Sequence, residues 1–336
     1  MSAMPGTGPS QSPADMLRRI RELQAAGPAA GHVTGQHLIT KVLLKRFAEP
    51  SGPHQGLICP FRLEYPDARH QPLGPGGCAK VDNFVPWASG SVEKLWKETE
   101  DRLGDALAAL DAGALFGDVG HVSVIKSAIA LHFARSKAAC AVHARAWAET
   151  VERGRRRWLT EHRQVLARWF YMKKGLYPAG DEALGAFADE LMELSLSLGR
   201  SGALWRERIE SLFLRSRAMT QAAGLEILTP PGNEEFLIGD VPALTVRADR
   251  AGVGVLGGIA LAEAQSVFLP LGPRHVAALG RADKIIRLTS GQVAEVNARQ
   301  LRGAIDYVYL RPGSRLTDTV RSFARQRAKS SGTAAA

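Results

Sequence analysis

Apolar residues recur at three- and four-residue intervals through the first two-thirds of the chain. After residue 224 they gather into short runs broken by Gly, Pro and charge. The first pattern buries one face of a helix and the second reads as strands. In TGQHLITKVLLKRF (residues 34–47), Thr40 suits an N-cap, Ile39 can staple against Leu44, and Val42, Leu43 and Phe47 share the inner side. Gln36 and His37 then fall outside the helix, on the loop that feeds it. Residues 50–90 carry strand-like pieces, GLICPF and CAKVDNF, among Pro and Gly. A helix is expected over SVEKLWKETEDRLGDALAALDAG, with Ser91 as cap and Gly113 past its end. Val92, Leu95, Trp96, Leu103, Leu107 and Leu110 line its inner stripe, and Glu93 and Glu100 share one flank.

The spacing next predicts one long helix from Val122 to Arg153, placing His132 and His143 with Ile125 and Ile129 on its inner face. Eleven positions separate the two histidines, about 16 Å of helix, too far to hold one metal. Arg135 and Ser136 lie one turn from His132 and can join it in a buried polar cluster. Further helices are expected over 155–174, 181–198 and 202–222. LEILTPP, EFLIGD, SVFLPL, HVAALG and KIIRL then read as strands, closed by a helix from Gly291 to Ile305.

Helices in one block and strands in another give an α+β fold: a helix-rich N-terminal two-thirds, and a short-stranded, largely antiparallel sheet in the C-terminal third. Residues 1–31 read as a disordered leader with a short helix over Ala14–Ala26. Residues 32–312 read as a single domain, helical over 32–223 and sheet-containing over 224–312. Residues 313–336 read as a basic helix and frayed tail.

Composition adds two restrictions. Of the 336 residues, 45% are hydrophobic and 23% charged, and no run approaches the roughly 18 apolar residues of a membrane span. Cys59, Cys78 and Cys140 form no CxxC pair, and the N-terminus lacks a secretion signal, so a reducing cytoplasm without membrane attachment is expected. The net charge of +10 favours a polyanionic partner, nucleic acid first, or is a surplus serving solubility. Residues 151–174 hold eight Lys/Arg against two Glu, with Arg156 and Arg157 beside Trp158, Trp169, Phe170 and Tyr171. Aromatics among cations suit single-stranded nucleic acid. The same residues at helical spacing also fit a core face backed by a solvated one.

QHLITKVLLKRFA and VDNFVPWASGSVEKLWKETEDRL, with LHFARSK, FLIGDVP, PLGP at 270–273 and a late helical Asn297, resemble the bacterial family catalogued as domain of unknown function 4238. The likeness runs over roughly residues 32–310 and departs at Leu38 and Thr40, where the family carries an aromatic residue and Pro. It implies a shared residue set: Gln36, His37, Glu100, Arg135, Asp240, Pro242 and Asn297. No activity comes with the family.

The candidate chemistry rests on that set. His37, Glu100, Arg135 and Asp240 are the candidate catalytic residues, and Gln36, Asn297, Arg156 and Arg157 the candidate binding residues. If they converge, Glu100 and Asp240 would hold Mg²⁺, His37 would activate water and Arg135 would steady a phosphorane. The expected activity is then cleavage of nucleic-acid phosphodiesters, as in a toxin or defence effector. The competing expectation is a non-catalytic binding or scaffold protein. There His37 and Gln36 bond backbone carbonyls, Asp240 forms a turn in GDxP, and the carboxylates pair with arginine on a solvated flank.

Overall fold

The computed structural model describes residues 35–82, 84–85, 90–200 and 202–333. The leader over residues 1–31 and its short helix lie outside them, as does the extreme C-terminus. Nine helices and ten strands are described. The chain divides into two compact units, one taking in residues 144–208 and the other residues 34–84, 90–143 and 209–336.

The larger unit is mixed α and β. Its helices are α1 (Lys41–Arg46), α2 (Gly90–Asp111), α3 (Val119–Ala134), the start of α4 (Lys137–Thr160), the end of α7 (Ala203–Ala222), α8 (Ser290–Gly303) and α9 (Thr317–Thr333). Thr40 caps α1, its hydroxyl accepting the Leu43 amide at 3.4 Å. Helix α2 starts at Gly90, one residue before the expected cap. A sheet of five strands has the order β6 (Leu244–Val246), β7 (Ser266–Gly272), β8 (His275–Gly280), β4 (Gly224–Thr229) and β9 (Lys284–Arg287). Its pairs are antiparallel except β4 with β9. The inner stripe of α2 (Leu103, Leu107, Leu110) meets Ile125 and Ile129 of α3, Leu43 and Phe47 of α1, and Ile227 and Leu269 of this sheet in one buried core.

Three features depart from the sequence expectation. The long helix over 122–153 is broken at Arg135 and Ser136. There the Ser136 hydroxyl donates to the Phe133 carbonyl at 3.0 Å and accepts the Ala139 amide at 3.1 Å, capping α4. A hydroxyl that satisfies the first amides of a new helix competes with continuing the old one. The helix over 155–174 is likewise two, α4 ending at Thr160 and α5 covering Arg163–Lys174.

Third, two strands form where none was expected. Gln36 and His37 lie in strand β1 (Gly35–His37), paired antiparallel with β3 (Lys80–Asp82), and not on a loop. The register sets His37 opposite Lys80. Strand β10 (Tyr307–Leu310) is the centre of a second sheet between β2 (Cys59–Arg62) and β5 (Ile238–Gly239). Strands β2, β3 and β5 fall in GLICPF, CAKVDNF and EFLIGD as expected, whereas β1 and β10, of three and four residues, carry too little alternation to read in advance.

The smaller unit is helical: the rest of α4, then α5, α6 (Asp181–Arg200) and the start of α7. Leu166, Leu184, Phe187 and Ala188 are its core, with Trp158 and Phe170 packed against them. Its aromatics divide between the two expected roles. Trp158 and Phe170 pack inward, whereas Trp169 and Tyr171 are 40% and 45% exposed.

Candidate functional site

The polar entrance of α1 is built on three elements. Strand β1 buries Gln36, whose amide donates to Glu93 Oε1 of α2 at 3.1 Å. Two turns along α2, Glu100 accepts from Arg135 Nη2 at 2.6 Å. Arg135 sits at the break between α3 and α4, 4% exposed, with its guanidinium carbon 5.0 Å from the ring centre of Trp96. The i and i+7 spacing of Glu93 and Glu100 thus gives each carboxylate a different partner. Arg135 Nε and Trp96 Nε1 are both buried without an acceptor among the described residues.

His132 stands beneath this entrance, fully buried. Its Nε2 accepts the Thr40 amide at 3.2 Å, and its Nδ1 meets the Ala128 carbonyl at 2.7 Å. Because the amide must donate and the carbonyl must accept, the ring is the neutral tautomer with its proton on Nδ1. Burial, then the nearby Arg135 charge, push its pKa down to about 3.

His37 has the opposite setting. Its Nε2 lies 3.1 Å from the Gly76 carbonyl, which can only accept, so a neutral His37 keeps its proton on Nε2 and its Nδ1 has no hydrogen bond among the described residues. Partial burial lowers its pKa first, and Lys41, Arg135 and Lys80 lower it further against the Gly76 bond. His37 is therefore an unprotonated base at neutral pH, standing in the field of three cations.

The remaining expected residues have other partners. Asp240 follows Gly239 at the end of β5, and its two oxygens accept the Ile305 and Asp306 amides at 2.8 and 2.9 Å. Lys137 Nζ lies 3.8 Å from it and also pairs with Asp306. Burial raises the Asp240 pKa, and the two amides and Lys137 oppose that rise. Asp240 shares a cleft of about 170 Å³ with Lys80 and Leu38, the latter next to His37 in sequence. Asn297, on α8, accepts the Leu237 amide at 3.1 Å and donates to the Glu235 carbonyl at 2.8 Å. It faces a separate cleft. Arg156 and Arg157 are exposed in the smaller unit, Arg156 4.0 Å from Glu152 and Arg157 2.8 Å from Glu161.

Gln36, Glu93, Glu100 and Arg135 are thus linked by two carboxylate contacts, with His37 coupled electrostatically to Arg135. Glu100 and Asp240, the expected metal pair, each have their own partners. Among the described residues no group of three or more His, Cys, Asp or Glu is placed to hold a metal ion. No described helix is long and apolar enough to cross a membrane. Trp96, Lys41, Lys80 and Lys137 complete these settings. No motif singled them out, although Lys41 and Trp96 lie on the two helices already marked.

A family model described as Protein of unknown function (DUF4238) matches residues 35–314. The chain belongs to the DUF4238 family. No curated protein and no solved structure matches it. The DUF4238 region begins at β1, and it takes in the Gln36–Glu93 and Glu100–Arg135 contacts, Asp240 and Asn297. The matched span also includes the described helices of the smaller unit.

Proposed function

We propose that this DUF4238 protein cleaves phosphodiester bonds in nucleic acid, as a toxin or defence effector would, with His37 as general base. One observation carries the reading: a neutral imidazole with an open Nδ1 beside Lys41, Lys80 and Arg135. A base for water and a group of cations for a pentacoordinate phosphorus are what phosphodiester hydrolysis asks of a protein. In this scheme His37 Nδ1 takes the proton of the attacking water, Lys41 and Lys80 draw the phosphorane charge, and the P–O bond to the departing sugar oxygen breaks as that oxygen takes a proton from solvent water. Arg135, held by Glu100 over Trp96, adds a fixed positive field. The excess of basic residues supports a nucleic-acid substrate.

The test uses end-labelled single- and double-stranded RNA and DNA, with Mg²⁺ and with a chelator, against wild-type protein and His37→Asn. Wild-type cleavage of at least one substrate, lost in folded His37→Asn, is the expected outcome. Equal cleavage by both proteins would refute the assignment, as would no cleavage at all.

A second reading, a non-catalytic binding or scaffold protein, is favoured by Asp240 and Asn297. Both spend their polar atoms on backbone of their own chain. On this reading, a gel shift shows salt-dependent retention of nucleic acid without turnover.

A further inference from the structure

The larger unit holds a cleft of about 870 Å³ between residues 232–235, the start of α8 and the turn over 311–316. That volume is typical of small-molecule sites. None of Gln36, His37, Glu93, Glu100 and Arg135 lines it. Much of its charge is already engaged. Arg311 pairs with Glu235, which also accepts from Ser314 at 3.0 Å, and Arg274 donates to the Glu234 carbonyl at 2.6 Å.

What remains is of two kinds. Among the described residues Arg315 has neither a hydrogen bond nor an ion pair, and Arg311 Nε is buried without an acceptor. Helix α8 also begins at this cleft. Thr289 takes the Gln292 amide at 3.4 Å, while the amides of the first two helical residues point out of the helix without intrahelical acceptors. These donors and the helix dipole favour an anionic group. The carboxylates of Glu49 and Glu234 also line the cleft, with no side-chain partner among the described residues. Carboxylates beside an anion site repel a second anion and accept hydrogen bonds from hydroxyl groups.

We propose that this cleft is a binding site for a small phosphorylated ligand bearing hydroxyl groups, a mononucleotide or a sugar phosphate. Its phosphate sits at Arg315, Arg311 and the start of α8, and its hydroxyls at Glu49 and Glu234. The site is independent of the chemistry at His37, so it stands or falls separately from cleavage.

The experiment titrates the full chain with adenosine 5′-monophosphate, uridine 5′-monophosphate, ribose 5-phosphate, inorganic phosphate and unphosphorylated adenosine. Binding is read by calorimetry and by the shift in melting temperature. Saturable binding of a phosphorylated, hydroxyl-bearing probe is expected. The loss of a charge-assisted bond in Arg315→Glu should weaken it at least about tenfold. Arg315 is exposed, so this variant should keep the wild-type melting temperature without ligand. Glu49→Gln should weaken ribose 5-phosphate and leave inorganic phosphate unchanged, and His37→Asn should bind as wild type does. Preference for a nucleotide over ribose 5-phosphate identifies the base as part of the ligand, and equal affinity identifies a sugar phosphate. The proposal is overturned if no phosphorylated probe binds, if adenosine binds as well as its monophosphate, or if Arg315→Glu binds undiminished. Inorganic phosphate binding as tightly as ribose 5-phosphate overturns it too.

Discussion

Acidification should unfasten the α1 entrance through His132. The Thr40 amide donates to its Nε2, so a proton there sets two N–H groups against each other in a fully buried site. The folded pKa, about 3, lies below the ordinary 6.5 of an unfolded histidine. A depressed histidine contributes stability that is present in full above pH 6.5 and declines as the pH falls toward 3, because the unfolded chain binds the proton first. At pH 4.5 the unfolded imidazole is almost fully charged and the folded one almost fully neutral. Two pH units at about 1.4 kcal/mol each remove on the order of 3 kcal/mol relative to neutral pH. Urea denaturation, followed by tryptophan fluorescence at intervals between pH 7.5 and 4.5, measures this directly when wild type is compared with His132→Gln. Glutamine offers a carbonyl oxygen to Thr40 and does not titrate. His37, His70 and His275 are also depressed, but they titrate in both proteins and cancel in the difference. The wild-type advantage over the variant should shrink by on the order of 3 kcal/mol across this range. Two stability curves that stay parallel down to pH 4.5 would refute the fastening role of His132.

Three further outcomes follow from the same contacts. Glu100→Ala strips the buried Arg135 of its charged partner and should cost about 1.5–3 kcal/mol in chemical denaturation, and Arg135→Met in that background should recover part of the loss. Asp240→Asn replaces one acceptor of a backbone amide with a donor, at about 1–3 kcal/mol, and calorimetry should show the lowered melting temperature. His37→Asn gives up a single half-exposed bond to Gly76. It should cost no more than about 1 kcal/mol, so that loss of activity in this variant reports on chemistry and not on unfolding.

The contrast between His37 and His132 shows where reading from the chain stops. Both precede or underlie the same short helix, and either could have been the pin. Thr40 as N-cap, the apolar faces of α1 and α2, the shared flank of Glu93 and Glu100, and the closeness of His132 to Arg135 and Ser136 all follow from helical spacing. The larger division into helices first and a mostly antiparallel sheet after residue 224 was equally legible, because composition changes there along a long stretch. So was membership in DUF4238, carried by motifs whose order survives without any knowledge of their contacts.

The partners were not legible. Gln36 meets Glu93 across 57 positions, Glu100 meets Arg135 across 35, and Asp240 holds amides 65 and 66 residues away. A periodic pattern states which face a residue occupies, not which remote face is laid against it. The break at Ser136 shows the same limit locally, since a hydroxyl can cap a helix or decorate one without altering the apolar repeat. The sequence by itself determined which stretches are helical, the buried sides of α1 and α2, and the family, but not where the helices over 122–174 break. Tertiary structure alone decided that His132 is buried and neutral between Thr40 and Ala128 and that His37 bonds Gly76 through one ring nitrogen, because a histidine's tautomer and charge depend on the groups that packing brings to its two nitrogens.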